Sequence, residues 1–189
     1  MSKRFPIPEF DRDQYKNRAW SAPALMGAGD QVRLKDAARK GEAAAYGAYA
    51  VALDAAVAAK FKFEGLHLHG VMCLLPNGPV RMTGRSWAWP VHRALVLDAM
   101  SADAQVIADW TTPRPMSTRL GPDVGVEING GVVHVVIGNK YGSSWIGNRT
   151  LMDRAPTAGT QGFDVISACV DNNNDFHACN LAFRWGTGA

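Results

Sequence analysis

Two short segments each carry two metal-ligating side chains that are separated by a single residue. His67 and His69 form one pair, and His177 and Cys179 form the other. On a β-strand, residues two apart point to the same side. Two such strands lying side by side would therefore present the nitrogen and sulfur ligands that zinc prefers. This pattern raises a small zinc hydrolase as one hypothesis, but no spacing in the sequence shows that the two strands are neighbours.

Two pairs could support acid–base or nucleophilic chemistry. Cys179 beside His177 would allow a thiolate next to a base, which a cysteine–histidine hydrolase or acyl transferase needs, although no third orienting group is identified. Glu127 would lie opposite His134 if Gly130 and Gly131 form the turn of a hairpin. An ion pair on the solvated face of a sheet explains that second pair equally well.

Aromatic residues beside basic ones suggest a binding surface. Trp87 and Trp89 alternate in a stretch that follows Arg85, and such side chains stack on nucleobases or sugars. The same tryptophans also suit a subunit contact, so we assign them to partner binding. A nucleic-acid or carbohydrate binding module remains an alternative.

The known short motifs of catalysis and nucleotide binding do not occur in the sequence. No complete nucleophile-elbow sequence G-x-S-x-G occurs at the serines 143–144, and no phosphate-binding or dinucleotide-binding glycine loop is present. We therefore assign no catalytic residue, no metal ligand and no cofactor.

The residue pattern predicts two helices. A long helix is expected over about residues 30–60, with Leu53 on its apolar stripe. A second helix is expected over about residues 91–110, because Pro90 suits a first turn and the apolar residues from Leu95 to Trp110 fall at helical spacing.

Strand patterns separate these helices and follow them. Hairpins are expected over 66–82, with a turn at Pro76–Pro79, and over 124–137, with a turn at Asn129–Gly131. A last hairpin is expected over 163–185, across the run of polar residues at 171–174. In each hairpin, the alternating apolar residues of both strands should share one face.

Residues 1–21 read as an extended N-terminal arm, because Pro6 and Pro8 exclude a regular helix there. The arm is too apolar for a solvated tail, so it should lie on its own domain or on a neighbouring subunit. Its candidate partner-binding residues are Phe5, Ile7, Phe10, Tyr15 and Trp20.

Composition narrows the class of protein further. The 189 residues suit one domain at 22–189, because a second core would need roughly 100 residues of its own. The formal net charge of +3 and the scattered basic residues do not favour nucleic acid. The three cysteines form no disulfide framework. No apolar signal-peptide core or membrane segment is expected, which predicts a cytoplasmic location or assembly in a virion.

Together these patterns predict an α+β domain, built of antiparallel β-hairpins with about seven strands packed against two helices. We expect a non-enzymatic structural or assembly protein, an oligomeric component of a larger particle such as a phage virion. The alternatives are a small metal-dependent or Cys/His-dependent hydrolase, and a nucleic-acid or carbohydrate binding module. The expected partners are further copies of the chain or neighbouring subunits.

Overall fold

A computed structural model describes residues 27–40, 48–65, 69–86, 90–101, 103, 105–114, 119–122, 124–148, 150–154, 161–167 and 179–186. These residues form two short helices and ten strands, which makes the expected α+β class wrong: the described part is mainly β-sheet. The helices are α1 (Ala28–Arg39) and α2 (Ala55–Phe61). The strands are β1 (Ala48–Ala52), β2 (Phe63–Glu64), β3 (His69–Ser86), β4 (His92–Asp98), β5 (Val106–Thr111), β6 (Val126–Tyr141), β7 (Ser144–Gly147), β8 (Thr150–Arg154), β9 (Gln161–Ser167) and β10 (Cys179–Trp185).

Two long strands, β3 and β6, determine the architecture. They pair antiparallel along most of their length, with an irregular register between Leu75 and Pro79. At this point Gly78, Gly130 and Gly131 have φ values of 103°, 61° and 89°, in the left-handed region that favours glycine. The glycine-rich segments that were expected to reverse the chain instead bend two continuous strands, so both predicted turns are wrong.

The bend shifts the alternation of side chains by one position, which keeps the apolar residues on one side. Val71 and Cys73 precede the bend of β3, whereas Val80 and Met82 follow it, and all four belong to the same buried cluster. An extra residue inserted in a strand has this effect on side-chain direction. The predicted sharing of one face is therefore confirmed for these four residues, although the hairpin that was to produce it does not form. Val124, which was expected on the same face as Val126, is instead exposed.

The bent strands divide the sheet into two halves that face each other. In sheet I, the first half of β3 and the second half of β6 join β1, β4 and β5, and β7 and β2 extend the edge beside β6. In sheet II, the other halves of β3 and β6 join β10, β9 and β8. Every pairing is antiparallel except that of β2 with β7. The central core between the sheets contains residues such as Ala94, Val96, Val135, Val165, Leu181 and Phe183.

The helices cover the outer face of sheet I. Leu34 of α1 packs on Met72 and Leu74, and Ala58 of α2 packs on Leu95 and Leu97. The helix predicted over 30–60 is wrong in its middle, where β1 pairs with β3. Neither described helix is long and apolar enough to span a membrane.

The helix predicted over 91–110 is also wrong, because this segment forms the β4–β5 pair. Ala94 and Val96 face the central core, while Leu95 and Leu97 face α2. A strand that is buried on both faces gives a continuous apolar run, which periodicity does not distinguish from a buried helix. In contrast, the strand pairing predicted over 163–185 is confirmed by the antiparallel pairing of β9 with β10, while the turn predicted at 171–174 lies outside the described residues.

Candidate functional site

The inward-facing positions change from apolar to polar at one end of the sandwich. Along β6, Val135 and Ile137 are followed by Asn139, and along β9, Val165 is followed by Ser167. The inward face of β3 ends at Ser86, and the inward face of the antiparallel strand β4 begins at His92. We call this region the polar end; it comprises Ser86, His92, Asn139, Asn148, Thr150 and Ser167, all at most 5% exposed.

Strand register brings these side chains together on sheet II. Cys179 lies directly between Ser86 on one side and Ser167 on the other, and Ser167 pairs in turn with Thr150. Directly paired residues of neighbouring strands have Cβ atoms about 5 Å apart. The four residues therefore form one row across the end of sheet II.

Sheet I supplies the facing residues. His92 pairs with Asn139. The backbone nitrogen of Asn148 donates to the Ile137 carbonyl oxygen at 2.8 Å, which places Asn148 beside the end of β6. A 3.0 Å contact between the Ser86 hydroxyl and His92 Nδ1 joins the two sheets. The polar end is thus a layer between the two sheets, not a set of separate surface groups.

The tautomer of His92 follows from its contacts. Its Nδ1 lies 3.0 Å from the Pro90 carbonyl oxygen as well as 3.0 Å from the Ser86 hydroxyl. A carbonyl oxygen can only accept, so Nδ1 carries the proton. The backbone nitrogen of His92 donates to the Thr112 hydroxyl at 2.9 Å, which fixes the start of β4.

His92 is an uncharged histidine at neutral pH. Burial lowers its pKa from 6.5 to about 4, while the hydrogen bond to the Pro90 carbonyl acts in the opposite direction. Desolvation penalises the imidazolium form because a charge is costly in a poorly solvated site. Among the described side chains that face inward at the polar end, none carries a charge.

Several buried atoms of the polar end have no hydrogen-bond partner within the part of the chain that the structure describes. They are both side-chain amide atoms of Asn148, the Oδ1 of Asn139 and the hydroxyl of Ser167. Buried polar groups of this kind are nearly always paired in proteins, with protein, water or ligand. The polar end therefore offers an amide donor, amide acceptors and a hydroxyl for further hydrogen bonds.

The partner-binding residues chosen from the sequence lie outside the described residues: Phe5, Ile7, Phe10, Tyr15, Trp20, Trp87 and Trp89. Their assignment to partner binding therefore stays a prediction. Arg85, which was grouped with the two later tryptophans, is exposed on the strand that ends at Ser86.

The proposed zinc ligands are not brought together by the described residues. His67 and His177 lie outside them, as does the side chain of His69, and Cys179 is fully buried in the core. Across the described ranges, no group of three or more His, Cys, Asp or Glu residues could hold a metal ion. Cys73 and Cys179 are buried and pack in the central core as small hydrophobic residues, and Cys169 lies outside the described residues.

The acid–base pair of Glu127 and His134 is wrong. Both residues lie on β6, where Glu127 pairs with Arg81 and His134 pairs with Met72 and Leu97. The pair was expected from a turn at Gly130 and Gly131, and that turn does not form.

Sequence reasoning missed the polar end, although a signal for it exists. Several apolar alternations end in Ser or Asn at an inward position. These Ser and Asn positions indicate a common site only when the strands are known to end at the same edge of the sandwich. Which strand ends meet is decided by the order of the strands in the sheet.

Comparisons with known proteins give a limited likeness. No protein-family model and no curated protein matches the sequence. Three similar solved structures are bacterial lectins, and in each case 62% of this chain and 96% of the lectin are covered. A Chromobacterium violaceum lectin in complex with alpha-methyl-fucoside shares 16% identity with a TM-score of 0.47. The high-affinity mannose-binding lectin of Ralstonia solanacearum shares 19% with a TM-score of 0.45. The C-terminal domain of a Burkholderia cenocepacia lectin shares 15% with a TM-score of 0.47.

The comparison lends no support to the expected structural protein of a phage virion, since the three similar structures are lectins. With TM-scores below 0.5, the likeness itself supports no statement about ligand or mechanism.

Proposed function

We propose that this protein is a non-catalytic carbohydrate-binding domain and that a neutral sugar binds at the polar end. The observation that carries the proposal is the layer of buried, uncharged amide and hydroxyl groups in which Asn139, Asn148 and Ser167 have unpartnered atoms among the described residues. This develops the carbohydrate-binding alternative that the sequence left open.

The chemistry of the polar end matches a neutral polyhydroxylated ligand. Each sugar hydroxyl both donates and accepts a hydrogen bond, and an asparagine amide offers one group of each kind in a planar arrangement. Both amide atoms of Asn148 are unpartnered within the described ranges, so two adjacent hydroxyls of one sugar ring can be bound together. A charged ligand would be placed among uncharged groups in a poorly solvated layer, which is unfavourable.

The layer lies close to the surface of the domain. The immediate chain neighbours of its members include Arg85 and Lys140, which are exposed, and exposed Pro113 follows the Thr112 that supports His92.

The geometry argues against a serine nucleophile at Ser86. Because Nδ1 of His92 carries a proton that it donates to the Pro90 carbonyl, it cannot accept the proton of the Ser86 hydroxyl. The low pKa of His92, about 4, also makes it a weak general base near neutral pH. Ser86 and His92 therefore act as a fixed hydrogen-bonded pair that positions the layer.

Two of the similar lectins also bind carbohydrate, one a fucoside and the other mannose. The low TM-scores give that coincidence no weight in the proposal. Association with further copies of the chain, expected from the sequence, stays a proposal that requires a mass measurement in solution.

The test is binding of neutral methyl glycosides, selected on a glycan array and measured by calorimetry, to the protein and to Asn148→Leu. Removal of the amide should weaken binding about tenfold or more, equivalent to about 1.4 kcal/mol. Thermal stability should be kept, because replacing an unpartnered buried amide by an apolar group of similar size is close to neutral.

Asn129→Leu is the matched control, since Asn129 lies on the same strand as Asn139 but is exposed. Its affinity should equal that of the unmodified protein. If no neutral sugar binds, or if Asn148→Leu and Asn129→Leu bind equally well, the proposal is wrong.

A further inference from the structure

A cluster of cations and aromatic rings lies on the outer side of sheet I, apart from the polar end. The guanidinium carbon of Arg93 lies 5.6 Å from the ring centre of Phe61, 5.4 Å from that of Phe63 and 5.4 Å from that of Trp145. The ammonium of Lys60 lies 5.3 Å from the ring centre of Phe61. That of Lys140 lies 6.0 Å from the ring centre of Trp145. We call Lys60, Phe61, Lys62, Phe63, Arg93, Lys140 and Trp145 the cation–aromatic patch.

Arg93 is the rigid centre of this patch. Its guanidinium donates to both carboxylate oxygens of Asp109, at 2.7 and 2.8 Å, and to the Phe61 carbonyl oxygen at 2.7 Å. Its side chain is only 12% exposed. With these bonds filled, Arg93 connects α2 to β4 and β5 and leaves its charge unavailable to a partner in solution.

The three lysines of the patch differ from Arg93 because they are exposed. Lys62 ends α2 with a φ of 59°, and its carbonyl oxygen accepts from the Trp145 amide at 2.9 Å. No carboxylate among the described residues forms an ion pair with any of the three ammonium groups. The one carboxylate bound within the patch, Asp109, is already neutralised by Arg93.

We propose that this patch is a second binding surface, which takes an acidic polysaccharide through carboxylate or sulfate groups. The inference rests on the proposed carbohydrate-binding function and extends it to a charged class of glycan. Several ammonium groups on one rigid base attract a polyanion more strongly than scattered lysines do, because their potentials add over the surface.

The rings favour a glycan over single-stranded nucleic acid. Nucleic-acid surfaces use open aromatic faces on which bases stack. In the patch, the half-exposed rings of Phe61 and Trp145 each already have two cations within the usual range of a cation–π contact. Their role is to hold Lys60 and Lys140 in place, so the partner is recognised by its charge.

The test compares two variants that remove the same formal charge. The patch variant replaces Lys60, Lys62 and Lys140 by Gln. The control variant replaces Arg33, Lys35 and Lys40 by Gln, in and beside α1, which packs on Met72 and Leu74 and belongs to a different cluster from Phe63 and Trp145. Dextran sulfate and polygalacturonate are the acidic probes, dextran is the uncharged probe, and oligo(dT) is the nucleic-acid probe, each titrated at several salt concentrations.

The patch variant should bind dextran sulfate and polygalacturonate about tenfold or more weakly, with a shallower salt dependence, while the control variant binds as the unmodified protein does. The inference fails if neither acidic probe binds, if both variants lose affinity equally, or if oligo(dT) binds as tightly and depends on the same lysines. Binding of the neutral glycoside should be unchanged in both variants, so a failure at the patch is distinguishable from a failure at the polar end.

Discussion

Protonation of His92 should destabilise this protein, because the polar end is built around its neutral form. The unfolded chain takes up the proton at the ordinary pKa of 6.5, whereas burial holds the pKa in the folded chain at about 4. Between these two values the unfolded state binds more protons. The stability contributed by His92 is therefore complete above pH 6.5 and is lost as the pH falls toward 4.

The size of the effect follows from the same shift. At about 1.4 kcal/mol for each pKa unit, the difference between 6.5 and about 4 amounts to a total loss of about 3 kcal/mol in the free energy of unfolding. At pH 5 the loss should already be about 2 kcal/mol. Either value is a large part of the margin of roughly 5–15 kcal/mol that stabilises a typical domain.

The assay is urea unfolding between pH 7.5 and 4.5 for the protein and for His92→Asn. Asparagine has a donor that can replace Nδ1 toward the Pro90 carbonyl but does not titrate in this range. Other titrating groups contribute equally to both proteins, so the difference between the two curves isolates His92. The unmodified protein should lose about 2 kcal/mol more than the variant by pH 5, and parallel curves would refute the assignment of a buried neutral histidine.

Further changes test other parts of the structure. Gly138→Ala should lower the free energy of unfolding by about 1–3 kcal/mol, because a methyl group there would approach backbone and ring atoms to 2.7 Å. Gly29→Ala, where a methyl group would meet nothing within 4 Å, should raise the free energy of unfolding by about 0.5–1 kcal/mol. Urea titrations in which both changes have the same sign would contradict the packing. Arg93→Lys should lower the free energy of unfolding by about 1–3 kcal/mol, because the variant loses the paired hydrogen bonds to the Asp109 carboxylate. A lower melting temperature is expected, and an unchanged melting temperature would contradict this role of Arg93. Cys73 should react with iodoacetamide only after unfolding, because burial raises the pKa of its thiol; rapid labelling of native protein would show otherwise. Deleting residues 1–20 should change either the mass of the particle measured by light scattering or the thermal stability, as predicted for an arm that docks on a surface. If both the mass and the melting temperature are unchanged, that prediction is wrong.

The sequence predicted side-chain direction better than chain direction. Val71 and Val80 were expected on one face and lie in one core, because alternation depends only on local backbone geometry. The turns expected at 76–79 and 129–131 were wrong, because glycines with positive φ serve a bend as well as a reversal. Whether such a segment bends or turns is decided by the strands that pair beyond it, which are distant in sequence.

The helix expected over 91–110 failed for a different reason. Leu95 and Val96 point to opposite faces of sheet I, and both faces are buried. A sequence records that both residues are apolar, but it does not record that α2 covers one side and sheet II the other. The polar end was missed on the same grounds, since Ser86 and His92 form their contact only when the two sheets are folded together.

The central claim is that a neutral sugar is held by the buried amides of the polar end. The most direct measurement is NMR of the protein labelled with ¹⁵N-asparagine, recorded while the best glycoside from the array is added. The side-chain amide signals of Asn139 and Asn148 should shift together, with one dissociation constant, while that of exposed Asn129 stays in place. A sugar that binds but leaves the signals of Asn139 and Asn148 unchanged would contradict the account.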